Sequence, residues 1–394
     1  MERAIPSERV VVTRRGADRL RGGHPWIYRS DLQADPGEAI EPGEAVVVVD
    51  PKGTALGTAF YSARSQIALR LAAREPVAID GAFLRARIAS AIALRERVLP
   101  GERFVRLVHG DADFLPGLVV DRYGDHLSIQ TLVPATERRK EAIADLLEEL
   151  LAPAGIVERN DVRARALEGL EQRKGVLRGS YEGPTILEEG EARLAIDLLE
   201  GQKTGAFLDQ RENHLLAGAW ARGRALDLFS YAGGFALQMA RRAASVQAVE
   251  ISADACARIR ENAARSGLSN VEAIEANVFD WLRDRVAEGA RYDTIVLDPP
   301  AFAKNKAAVP AAMRGYKEVN LRALQLLAPG GLLFTATCSY HVPAEAFEAM
   351  VADAARDARR EVQVIERRGA GRDHPVLLTM PETRYLKCLV LRAV

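Results

Sequence analysis

Cysteine is scarce: the chain of 394 residues has three, Cys256, Cys338 and Cys388. None stands in a C-x-x-C pair and no histidine cluster lies beside them, which argues against a disulfide framework or a structural zinc site and fits a reducing cytoplasm. An excess of either charge is also missing, since 54 basic residues balance 54 acidic ones. Any contact with a nucleic acid must then come from local basic surface and shape rather than from a strongly positive whole. No uninterrupted apolar run approaches the length of a bilayer span, and the first residues, MERAIPSERVVV, lack the apolar core of a signal peptide. A soluble, cytoplasmic protein with no membrane partner is expected.

What is present is enough hydrophobic sequence, 48%, to build cores, on a length that suggests two or three domains. Residues 1–75 hold short β-rich pieces, RVVVT, AVVVVD, GTALGTAFYS and QIALRLA, separated by Gly/Pro turns, the pattern of a small barrel. Within it Gly23-His24-Pro25-Trp26-Ile27-Tyr28 sets aromatic rings between Arg21 and Arg29. Such interleaving suits RNA, and the alternative is that Trp26 and Tyr28 fill the barrel. Residues 76–185 read as an α+β module, with helices over 83–98 and 137–151 around the strand-like runs FVRLVHG, GLVVDRY and HLSIQTLV. The basic residues Arg138, Arg139, Lys140, Arg159, Arg163, Arg165, Arg173, Lys174 and Arg178 are expected on solvated surface, with a polyanion groove as the other reading. His109 and Asp111 suggest an acid/base pair, but Gly110-Asp111 is better read as a turn.

Residues 186–394 carry the strongest signal. Strand-like and helical runs alternate from about 224 to 358, which predicts a parallel, doubly wound α/β sheet, closed by a terminal antiparallel hairpin from EVQVIERR and TRYLKCLVL. At its start ALDLFSYAGGF is an apolar strand that runs into a glycine turn and the helical run FALQMARRA. Ligands of such sheets lie at the carboxyl ends of the strands, near the free N–H groups of the following helix. The stretch is not the dinucleotide fingerprint, and no Gly-Lys-Ser/Thr follows to hold a triphosphate. Glu250, 23 residues after Asp227 (250 − 227), ends the next strand and can take two ribose hydroxyls. An acid beside the glycines, in place of a basic cradle, fits a nucleoside bearing a cationic sulfonium and points to S-adenosylmethionine. The alternative is a plain βαβ crossover whose glycines serve packing. The polar run GQKTGAFLDQR just upstream suggests a loop folded over that cofactor.

Two later strand ends converge on the same edge. Leu297-Asp298-Pro299-Pro300 stops a strand in an acid and two rigid prolines without N–H donors, a stiff edge that can present Asp298 to a flat base. Thr337-Cys338-Ser339 ends the next strand in a thiol. Carbon 5 of a pyrimidine is a poor nucleophile until a group adds at carbon 6, and a thiolate does this well. Cys338 is therefore the candidate for chemistry, against the alternative of a small buried hydrophobe, while Cys256 and Cys388 fall within a helix and a strand and are expected in the core.

In order, GQKTGAFLDQR, DLFSYAGGFAL, LDPPAFAKNK, RGYKEVN and TCS resemble the motifs of the RlmI-type large-subunit ribosomal RNA cytosine-C5 methyltransferases, over nearly the whole chain, and GHPWIY resembles the start of that family's PUA domain. The resemblance implies a PUA β-barrel, a central α+β domain and a C-terminal class I (Rossmann-like) methyltransferase domain that uses S-adenosylmethionine. It implies that Asp227, Tyr231 and Gly233 line the methionine moiety, Glu250 the ribose and Asn277 the adenine edge, with Phe229, Gln210 and Asp298 in the same cofactor set. Cys338 would be the nucleophile with Asp298 beside it, and Pro299, Pro300, Lys306 and Arg314 would meet the RNA base. Two points stand apart from the pattern: Asn277 stands where an Asp is expected, and DPPAFAKNK, as in the RlmI type generally, lacks the second cysteine that the broader cytosine-C5 enzymes often use in product release, so release must use another base or water.

The expected partner is large-subunit ribosomal RNA; a homodimer is left open. Two other readings stay beside this one. An RNA methyltransferase acting on a guanine or an exocyclic nitrogen would use Asp298-Pro299-Pro300 without needing a thiol. A non-catalytic RNA-binding assembly factor would keep the fold alone, although the presence of Asp227, Glu250, Asp298 and Cys338 together argues against it.

Overall fold

The computed structural model describes residues 4–303 and 305–394; Lys304, within the LDPPAFAKNK motif, lies outside them. The chain divides into two compact units: one made of residues 1–185, 196–208 and 372–383, the other of 186–195, 209–371 and 384–394.

The second unit is built on a seven-stranded sheet. Its strands are β1 (Arg224–Leu228), β2 (Ser245–Glu250), β3 (Val271–Glu275), β4 (Tyr292–Leu297), β5 (Leu327–Thr337), β6 (Val362–Arg368) and β7 (Lys387–Ala393), in the order β3-β2-β1-β4-β5-β7-β6. The first five are parallel, and β7 runs antiparallel to both β5 and β6. The terminal hairpin expected from the sequence is therefore present, with β7 inserted between β5 and β6. Six helices follow in chain order: α1 (Arg211–Trp220), α2 (Gly234–Met239), α3 (Ala253–Arg265), α4 (Val278–Ala287), α5 (Val309–Leu326) and α6 (Ala344–Asp357). Central strands covered on both faces must be apolar on both, and the pleat divides β1 accordingly. Leu226 and Leu228 join the core formed with α4, α5 and α6, while Ala225 joins the one formed with α1, α2 and α3. Asp227, on the same side as Ala225, is carried under the glycine turn. Helix starts are fixed by side chains that satisfy otherwise unpaired N–H groups: Ser252 accepts from Ala255 N at 3.3 Å and Asn277 from Phe279 N at 2.9 Å.

The first unit holds two five-stranded sheets. One comprises Arg9–Val11, Trp26–Tyr28, Ala45–Val49, Ala55–Tyr61 and Ile67–Ala73, closed around Val12, Leu20, Ile27, Val46, Val48, Leu69 and Leu71. The aromatic motif thus supplies a strand of its own, and a helix, Arg14–Arg21, lies between the first two. The other sheet joins the three expected strands, Phe104–His109, Leu118–Tyr123 and His126–Thr131, to Gly155–Arg159 and Lys174–Gly179, which polar residues had hidden.

Those polar residues correct the surface reading. Arg165 and Arg159 are only 1% and 5% exposed. Arg165 bonds Thr131 and Glu137, and Arg159 bonds the carbonyls of Leu198 and Gly201, both at 2.8 Å. Lys140 pairs with Glu137 and Glu158. These cations are internal clamps and neither a solvated face nor a groove. Gly110–Asp113 is a 3₁₀ turn as expected, and Asp111 accepts from Trp26 Nε1 at 2.9 Å. Arg21 and Arg29, which flank the aromatic motif, are paired with Asp50 and Asp35. Within the same unit the GQKTG loop is held by the second sheet: Thr204 Oγ1 donates to Asp121, and Ala206 N donates to the Tyr123 hydroxyl at 3.1 Å.

Candidate active site

At the carboxyl edge of the seven-stranded sheet the register sets Leu228 beside Val249 on one side and Leu297 on the other. The next residue of each strand, Phe229, Glu250 and Asp298, therefore falls in one row. The chain reverses after β1 through left-handed backbone at Phe229 (φ 66°), Tyr231 (φ 49°) and Gly233 (φ 91°). Two non-glycine residues in that region store on the order of 1–3 kcal/mol each and need to be held. The clamp is Glu250: one carboxylate oxygen accepts from Tyr231 N at 2.9 Å, and the other accepts from Ile251 N at 2.9 Å and Ser252 N at 3.2 Å. Arg258 lies over the Tyr231 ring.

The helix behind the turn is shorter than FALQMARRA suggests, ending at Met239, and its first turn is already engaged, because Asp227 Oδ2 accepts from Ala236 N at 3.0 Å. Asp227 is 1% exposed, and its other oxygen, Oδ1, is buried with no hydrogen-bond partner. Burial raises its carboxyl to about 7, against the lowering effects of Ser230, His214 and Ala236 N. A buried acceptor left unmatched costs roughly 1–3 kcal/mol, which a cationic ligand would recover. Gln210, at the N-cap of α1, supplies the complementary group. Its carbonyl accepts from Asn213 at 2.6 Å, while its buried Nε2 donors have no partner. One open acceptor and one open donor match the ammonium and carboxylate of an amino acid tail, so the residues present fit S-adenosylmethionine.

Gly234 shows why α1 must lie close. A Cβ there would stand 2.6 Å from Cε1 of His214, whose ring meets Phe235 edge-on at 4.4 Å and whose Nδ1 is 2.8 Å from Glu189. At the far side of the site Asn277 is exposed and spends its carbonyl oxygen on the cap of α4.

The Asp-Pro-Pro end and the cysteine end are joined by two residues the sequence did not single out. Tyr316 in α5, fully buried, lies 2.7 Å from Ser339 Oγ, and its hydroxyl also receives Phe302 N at 3.2 Å. Ser339 Oγ accepts from Ala303 N at 3.3 Å. The RGYKEVN and TCS motifs thus brace the loop after Pro300, and the spacing Tyr316/Asn320 is the legible trace of it: Asn320, one turn on, accepts from Thr335 on β5 at 2.7 Å. Cys338 stands one residue beyond β5, half-buried, against Ala336, Leu386 and Cys388. Cys256 and Cys388 are buried as expected, and burial pushes the Cys388 thiol up to about 12. Pro299 is buried and Pro300 exposed; Lys306 and Arg314 are exposed, on a short 3₁₀ turn and on α5.

A parallel sheet in this order with its last strand reversed, a glycine turn after β1 and acids at the ends of β1, β2 and β4 define a class I methyltransferase. Comparison with known proteins agrees. Residues 174–392 match the family described as S-adenosylmethionine-dependent methyltransferase, and residues 10–74 match the PUA-like domain. The ribosomal RNA large subunit methyltransferase I of Shewanella denitrificans is 41% identical over 381 residues, 95% of this chain and 96% of that protein. Its counterpart in Shewanella amazonensis is 42% identical over 377 residues, 94% and 95% of the two chains. The crystal structure of the methyltransferase SMU.776 with SAH shares the fold, with a TM-score of 0.85 at 20% identity over 98% of this chain and 100% of that one. The chain belongs to the S-adenosylmethionine-dependent methyltransferases and, within them, to the family of ribosomal RNA large subunit methyltransferase I. Among the described residues no helix is long and apolar enough to cross a membrane.

Proposed function

We propose that the enzyme methylates carbon 5 of a cytosine in large-subunit ribosomal RNA through a covalent bond between Cys338 and carbon 6 of the base. The observation that supports this most is the position of a half-buried thiol one residue past β5, beside the braced Asp298-Pro299-Pro300 end of β4 and on the same sheet edge as Asp227 and Glu250. Bound S-adenosylmethionine supplies an electrophilic methyl group. Asp227 and Gln210 would hold its amino acid end, the Phe229–Gly233 turn would line the site, and Glu250 and Asn277 would take the ribose and base.

The remaining work falls to Cys338 and Asp298. The thiolate adds at carbon 6, and the electron pair of the carbon 5–carbon 6 bond moves to carbon 5, which then attacks the methyl group. A base or water takes the carbon 5 proton, the electrons of that bond re-form the carbon 5–carbon 6 double bond, and the Cys338 thiolate leaves from carbon 6. A hydrogen bond or proton from Asp298 at nitrogen 3 favours the addition by withdrawing electrons from the ring. The target base must leave its stack to reach the thiol, at a cost of a few kcal/mol that is least in an unpaired segment. Pro299, Pro300, Lys306 and Arg314 would guide it. In this reading residues 1–75 grip RNA, 76–185 form the central domain and 186–394 carry out methylation, in the cytoplasm.

Mass mapping of large-subunit RNA from cells with and without the protein tests the reading. One 5-methylcytosine should disappear without it. A missing mark on guanine or on an exocyclic nitrogen would replace the cytosine-C5 reading with the alternative that needs no thiol.

A further inference from the structure

The last strand brings a lysine to the cysteine. Lys387 opens β7 directly opposite Thr337, the residue before Cys338. Its Nζ donates to Ser339 O at 2.9 Å, the residue after Cys338, and to Tyr385 O at 3.0 Å. The ammonium is therefore tied to the backbone just after the thiol and to its own strand's lead-in. It is 7% exposed, and among the described residues no carboxylate pairs with it. Burying a cation without a counter-charge is costly, and proteins answer by pairing the ion or shedding its proton. Here burial pushes Lys387 down to about 8, the Cys338 sulfur pulls it back up, and Arg384 pushes it down further. The other groups around the thiol do not supply the missing charge: Cys388 is a buried thiol held protonated, the Tyr385 hydroxyl donates to Asp209 at 2.7 Å, and Asp298 at the end of β4 forms no ion pair with Lys387.

We propose that Lys387 is a positioning residue of this site, whose ammonium holds the sulfur of Cys338 as the thiolate. This rests on Cys338 being the nucleophile proposed above, but the charge pair itself is a property of the free protein. Two carbonyl acceptors fix the ammonium and leave its third N–H for the sulfur, which supplies the anion for the buried lysine. The Tyr385–Asp209 bond anchors the start of the strand that delivers the lysine.

The test is alkylation of the full chain with iodoacetamide as a function of pH, read at the Cys338 peptide by mass spectrometry, without RNA. In the natural protein half-maximal reactivity should lie below the pH of about 8.5 at which a free cysteine titrates; a midpoint at or above that value overturns the proposal with no variant needed. Lys387→Met should slow alkylation of Cys338 at pH 7 by about tenfold, the effect of one unit in thiol pKa, while retaining cofactor binding by calorimetry, and Lys387→Arg should restore part of the rate. An unchanged pH profile in a Lys387→Met protein that still binds cofactor would leave the lysine a packing role and overturn the pair. The cytosine reading fails separately, by normal methylation in Cys338→Ala, whatever the alkylation profile shows.

Discussion

The two halves of the sheet edge are built differently. At β1 and β2 most of the site lies within one contiguous strand, turn and helix plus a single carboxylate, with Gln210 and Asn277 added from the caps of α1 and α4, and Glu250 spends three hydrogen bonds on the backbone that shapes the turn. At β4 and β5 the site is assembled from four separate places: Asp298 on one strand end, Cys338 past another, Tyr316 on a helix and Lys387 on the reversed last strand. The half proposed for the cofactor is a local fold with strain stored in its backbone, whereas the half proposed for the substrate is a tertiary junction. Changes in the first should act through binding and stability, and changes in the second should act on chemistry and leave cofactor affinity alone.

The sharpest break between the halves is Cys338→Ala. Removing the proposed nucleophile should drop methylation to background while calorimetry gives an unchanged affinity for S-adenosylmethionine; loss of both together would merge the halves. Next in size, Glu250→Ala removes the proposed acceptor for the ribose and the clamp on Tyr231 N, and should weaken cofactor binding by about 1.5–3 kcal/mol. Unchanged affinity in a folded variant would take Glu250 out of the site. Gly234→Ala forces a methyl group into the His214 ring and should cost about 1–3 kcal/mol of stability in urea unfolding, with a neutral result showing that α1 can withdraw.

The smallest effect is a pH dependence. Asp227 is held near 7 by burial, so at pH 6 most of the free protein carries it protonated and a cationic ligand must first displace that proton. Affinity for S-adenosylmethionine should rise about tenfold from pH 6 to pH 8, and Asp227→Asn should bind more weakly with a flat profile. The same raised carboxyl makes stability of the free protein fall as pH climbs from about 4, where the unfolded carboxyl titrates, to about 7, and level off above.

How far the sequence could be read follows the same division. The strand, glycine turn and second acid were legible because strand and helix periods and turn residues are local signals. The length of α2 was not, since FALQMARRA continues to look helical after tertiary packing has ended it at Met239. Lys387 could not be found from its neighbours: LKCLVL reads as a strand, and only the reversed pairing with β5 reveals that its lysine lies opposite Thr337, next to Cys338. Arg159 and Arg165 were misread for the related reason that charge suggests solvent until a partner such as Glu137 or a row of carbonyls is brought to it by the fold.

The central claim, that sulfur of Cys338 bonds to carbon 6, is reached most directly with large-subunit RNA containing 5-fluorocytosine, because fluorine cannot leave as a cation in the step that normally loses the proton. Incubated with S-adenosylmethionine, the natural protein, Cys256→Ala and Cys388→Ala should each be trapped as a protein–RNA adduct that survives denaturation, and Cys338→Ala should give none. An adduct in Cys338→Ala, or none in a natural protein that methylates the unsubstituted RNA, would contradict the account.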